Sequence, residues 1–178
     1  MNKFLLIIAI VITNFYCAQT YTDLLNITKF YGSKVENFEK TFKVKPFEKK
    51  STFGKSMLIY KMANYNVSIE SNSEDETINR IDLFQLNINA DLITELWYKM
   101  TTELNKNPLF HIKSTAFKDK TKDFETTDLK YDELLKLLRS LNYPEKLIYV
   151  VTYEKENLIY SVSGFQNNFI ISTSTIRK

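Results

Sequence analysis

Two stretches in opposite halves of the chain alternate with period two: YNVSIES at 65–71 and LIYSVSG at 158–164. In the first, Tyr65, Val67 and Ile69 fall on one side and Asn66, Ser68 and Glu70 on the other. Successive side chains of a strand point to opposite faces, so this pattern describes strands with one face buried and one toward water. A sheet face of that kind needs cover, and the segment between the two stretches supplies it. Residues 89–107 carry Leu92, Ile93, Leu96, Trp97, Met100 and Leu104 as one helical stripe, with Asn89 as cap, Asp91 in the first turn and Pro108 as the stop. A second helix is expected over 129–142, with Tyr131, Leu134, Leu135, Leu138 and Leu141 on its apolar face and Asn142 and Pro144 ending it.

The remaining segments extend this plan. Residues 21–43 read as two helices, or one kinked at Gly32, with Ser33 and Glu36 in the spacing of a capping box. KVKPFEKKSTFGK (43–55) reads as a connection punctuated by Pro46 and Gly54. Strands are expected at 56–62, 65–71 and 78–86, with tight or polar turns at Ala63–Asn64 and 72–77. A further strand is expected at 109–117, followed by a charged loop at 118–128. The C-terminal part reads as a meander of 146–154, 158–164 and 169–176, with the last strand closing the sheet. The fold class is α+β: an antiparallel sheet with helices packed on one face, and Leu96, Trp97, Leu134, Leu138, Val151 and Tyr160 in the core. SMLIYKMANYNVSIES resembles EKLIYVVTYEKENLIYSVS in its strand–turn–strand layout. That leaves two arrangements open, a tandem αβββ pseudo-repeat or a plain α+β domain with two similar hairpins.

The N-terminus bears on location. Lys3 precedes an unbroken apolar run from Phe4 to Ile12, then polar residues, then Ala18 before Gln19. This is the layout of a secretory signal peptide, and the run is shorter than the ~20 residues that span a bilayer. Cleavage between Ala18 and Gln19 is expected, giving a signal peptide (1–18) and a single domain (19–178). Lipidation at Cys17 fits less well, because Phe15 and Tyr16 stand where a lipoprotein signal has small residues. The exported chain, periplasmic or secreted, then keeps no cysteine and no transmembrane segment, and must hold its fold by packing rather than disulfides.

Composition excludes several chemistries. The formal charge of +3 is small, and 24 basic residues include only Arg80, Arg139 and Arg177 as arginines. Arginine supplies the bidentate contacts to bases and phosphates, so a nucleic-acid reader is not expected. One histidine, His111, cannot form a histidine metal cluster, and no catalytic role is assigned to it. With three glycines, no phosphate-cradling or dinucleotide motif is present, and no cofactor or metal is expected. Acids cluster at 73–76 and at Asp119, Asp123, Glu125 and Asp128, without the spacing of a calcium loop. Lys40, Lys43, Lys45, Lys49, Lys50 and Lys55 are interleaved with Phe42, Phe47 and Phe53, and Lys43, Lys45, Phe47, Lys49 and Lys50 are the candidate binding residues toward an anionic envelope surface. The reading is an exported, non-enzymatic binding protein whose partner is a protein or envelope component. A small carboxylate-based hydrolase and an apolar-ligand carrier are the alternatives.

Overall fold

The computed structural model describes residues 20–141 and 144–176. The expected cleavage site at Ala18 and Gln19, with Cys17, lies outside these residues, and so does Asn142; the helix expected over 129–142 ends earlier, at Arg139 with Ser140 as its cap. Four helices and nine strands are present among the described residues. Helix α1 covers residues 20–27 and tightens into a 3₁₀ turn at Thr28–Phe30; α2 is Val35–Phe42, α3 Ala90–Lys106 and α4 Tyr131–Arg139. The strands are β1 Glu48–Thr52, β2 Lys55–Lys61, β3 Asn66–Asn72, β4 Ile78–Leu86, β5 His111–Asp119, β6 Phe124–Thr127, β7 Leu147–Lys155, β8 Leu158–Phe165 and β9 Asn168–Thr175. They form one antiparallel sheet in the order β1-β2-β3-β4-β9-β8-β7-β5-β6.

Helix α3 forms as its sequence dictates. Asn89 accepts from the Asp91 N–H at 2.7 Å, satisfying one of the orphan donors of the first turn. Its inner stripe buries Ile93, Leu96, Trp97, Met100 and Leu104, and the Trp97 Nε1–H donates to the Val162 carbonyl of β8 at 3.0 Å. The break at Gly32 is present, and Gly32 has a positive φ of 74°. The capping box expected at Ser33 and Glu36 does not form. Ser33 Oγ instead donates back to the Phe30 carbonyl at 2.7 Å, which closes the preceding turn. The N-cap of α2 is Lys34, and the Val35 N–H is satisfied by the Glu76 carbonyl of the β3–β4 turn.

Further expectations need correction. The connection 43–55 contains β1, and the charged loop 118–128 contains β6. Both are edge strands with little buried surface, so neither shows the alternation that marks a strand in sequence. The last strand, β9, does not close the sheet from its edge. It occupies the centre, paired with β4 on one side and β8 on the other. Leu96, Trp97, Leu134, Val151 and Tyr160 are buried, while Leu138 is only partly buried.

Candidate functional site

The register sorts every strand side chain into one of two sets. One set runs in cross-strand rows such as Tyr60–Val67–Leu83–Ile171–Val162–Val151–Thr115 and Leu58–Ile69–Ile81–Thr173–Tyr160–Tyr153. All thirteen of these residues are buried. Helix side chains meet this set: Phe38 packs on Tyr60 with ring centroids 5.1 Å apart, and the Tyr153 hydroxyl donates to the Thr101 carbonyl at 3.3 Å. Tyr149, in the same set, has its hydroxyl 2.9 Å from that of Thr94 and meets the Trp97 ring edge-on. Tyr31 reaches the β4–β9 junction, where its hydroxyl accepts from the Ile81 N–H at 3.2 Å and donates to the Thr173 carbonyl. Burial pushes the Tyr31 phenol up to about 12, because a phenolate there would lose its hydration.

The other set points away from these contacts and is banded. A row through Ser114–Thr152–Ser161–Ser172–Asp82–Ser68 carries hydroxyls across six adjacent strands, interrupted by one carboxylate. On one side lies a more apolar row, Ala116–Val150–Ser163–Ile170–Phe84, with Ile148 and Phe165 next to it. These apolar side chains are half-buried. On the other side runs a charged row, His111–Glu154–Ile159–Ser174–Arg80–Glu70–Met57–Lys50. Arg80 bonds Asp82 at 3.1 Å, tying the charged row to the hydroxyl row. His111 is exposed at the start of β5, opposite Glu154.

The chain matches no protein-family model, no curated protein and no solved structure. Function must therefore be argued from the surfaces themselves.

The five candidate binding residues fall on and just before β1. Lys43 is the left-handed C-cap of α2, with φ of 54°. Lys45 pairs with Glu39 at 2.7 Å, Phe47 is 62% exposed, and Lys49 and Lys50 stand on opposite faces of the edge strand. The lysines are brought onto one edge of the sheet. Phe42 is spent on packing against Phe30 and Phe38. Phe53 is the residue the candidate set omits: it lies at the β1–β2 turn and is 101% exposed.

A groove of about 610 Å³ lies between α3, α4 and the start of β7. Trp97, Leu135, Leu138, Leu141 and Leu147 line it, with Asp91, Glu95 and Arg139 beside them. The acid clusters are absorbed locally. Asp75 accepts from the Thr77 N–H at 2.9 Å, Asp119 from the Thr121 N–H at 2.8 Å, and Glu125 pairs with Lys118 at 2.9 Å. No group of three or more acids, histidines or cysteines able to hold a metal occurs among the described residues. None of the helices among those residues is long and apolar enough to cross a membrane.

Proposed function

We propose that this is an exported, non-enzymatic binding protein that engages a folded protein partner through the banded face of its sheet. On this reading the helices pack on the other face, and the two halves of the chain are pseudo-repeats meeting at β4 and β9. The sheet order supports the duplication, because the consecutive strands β2-β3-β4 are mirrored by β7-β8-β9 across that junction, with β1 outside one set and β5 and β6 outside the other.

The observation that carries the binding proposal is the banding. An apolar row bordered on one side by hydroxyls and, beyond them, charges sets an apolar patch beside a polar margin, the two ingredients of an interface. It is broad and unenclosed, and therefore suits a protein surface better than a small molecule. The groove between α3 and α4 favours a second reading, an apolar-ligand carrier, since its volume falls in the range of ligand pockets.

Photo-crosslinking residues placed at Ser161 and Ser172 should capture a defined partner in the native envelope fraction. The same probe at Lys136, on the exposed side of α4, should not. Crosslinks at Lys136 alone, or none at all, would refute the sheet-face reading. A change in Trp97 emission on titration with a long-chain fatty acid would favour the carrier instead.

A further inference from the structure

We propose that the β1–β2 hairpin is a docking tip that seats on an anionic phospholipid surface. The charge distribution points there first. Residues 43–61 hold Lys43, Lys45, Lys49, Lys50, Lys55 and Lys61 against Glu48 alone, a net +5. The whole chain carries +3, so the remainder carries −2 (+3 less +5). All six lysines are exposed. Lys45, Lys50 and Lys55 pair with Glu39, Glu48 and Glu70, whereas Lys43, Lys49 and Lys61 make no ion pair among the described residues. The lysine end of each pair is exposed to water and salt, so a lipid phosphate can compete with the carboxylate for it.

The tip is the second observation. Thr52 pairs with Lys55, so Phe53 and Gly54 form a two-residue turn with φ of 46° and 77°. Positive φ at both positions is the type I′ pattern, which favours Asn-Gly. A bulky aromatic is a poor choice there for folding, and Phe53 is fully exposed. Its ring adds nothing to the core and projects past the end of the sheet. Glu156 and Gln166 take the same positive φ in the β7–β8 and β8–β9 turns, but there the side chain set in water is polar, whereas at the β1–β2 tip it is a fully exposed aromatic ring.

The arrangement favours a membrane over an acidic protein. Lys49 and Lys50 lie on opposite faces of β1, and Lys55 lies across the turn. A protein seated on one face of the hairpin would reach only one of the first two. A membrane receiving the tip surrounds it, placing all three lysines at the headgroups while Phe53 enters the interface. This proposal does not rest on the sheet-face reading, and the two can fail separately.

The test is sedimentation of the full chain with phosphatidylcholine vesicles, with and without 30% phosphatidylglycerol (~0.3 mole fraction, enough to give a negative surface potential). Wild type and variants share residues 1–19, so differences between them report on the hairpin. Partitioning should be at least about tenfold stronger on the anionic vesicles and fall steeply as salt rises. K49E/K50E should weaken it by about 25-fold or more, since each lysine near such a surface is worth a factor of about five. Phe53→Asn should weaken it by about tenfold while raising the folded-to-unfolded ratio, because Asn suits the turn. That opposition separates docking from folding. Equal binding to both vesicle types, or partitioning unchanged within about twofold in both variants, would overturn the proposal. So would binding of an acidic peptide that depends on Lys49 and Lys50 with no vesicle binding.

Discussion

Gly164 illustrates what a single atom can decide. It lies opposite Tyr149 in the β7–β8 pair, and a Cβ there would stand 2.4 Å from Tyr149 Cε2. The Tyr149 ring cannot yield easily, because its hydroxyl meets Thr94 and its ring edge meets Trp97 at a 5.1 Å centroid distance. Gly164→Ala should therefore cost about 1–3 kcal/mol in urea denaturation, the range for overpacking a core. In a Tyr149→Ala background the same change should cost markedly less, so a double-mutant cycle identifies the ring as the cause. A glycine inside LIYSVSG is visible in sequence, but the facing tyrosine is not. Ser33 gives the converse lesson: its spacing to Glu36 is right for a cap, yet the turn before it takes the hydroxyl.

Helix α3 was legible almost residue by residue. Its cap, stripe and stop are all local, and local signals survive folding. Asn89→Ala removes the bond to the Asp91 N–H and should cost about 1 kcal/mol, measurable as a lower denaturation midpoint with an unchanged slope. Strands β1 and β6 were not legible. Residues 48–52 read EKKST, and all but Glu48 are exposed. Their strand conformation comes from main-chain pairing with β2, which leaves no hydrophobic pattern behind. Lysines on such an edge also discourage pairing with other chains.

The whole molecule stores a pH dependence in its buried phenols. Desolvation by burial is the leading cause that raises Tyr31, to about 12, and it also raises Tyr60, Tyr65, Tyr131, Tyr149, Tyr153 and Tyr160. Tyr65 and Tyr60 are held further in the neutral form by Asp23 and Glu39, to which their hydroxyls donate hydrogen bonds of 2.7 and 3.1 Å. An unfolded tyrosine ionises near pH 10. The folded state keeps its phenols neutral beyond that, so their contribution is complete below about pH 10 and is lost as pH rises through the folded values. Each such tyrosine should steepen the loss by about 1.4 kcal/mol per pH unit above pH 10. Denaturation midpoints at pH 8, 10 and 11, followed with tyrosinate absorbance, should show stability level up to about pH 10 and cooperative unfolding beyond it. A flat profile to pH 11 would contradict this.

By itself, the sequence determined the α+β class, the α3 and α4 stripes, the inner strands and the split at Gly32, because each rests on periodicity or on a residue's own backbone preference. The central place of β9 was decided only in three dimensions. FIISTSTI follows β8 after a short turn and reads as the end of a meander, and nothing local states that its other edge meets β4. That pairing joins residues 80–86 to residues 168–174, and Tyr31 from a third segment bonds across it. The banding of the second set of strand side chains has the same origin. Its rows take one residue from each of several strands, so the chemistry that makes a surface appears only once register is set, and register is a property of pairs rather than of any one stretch.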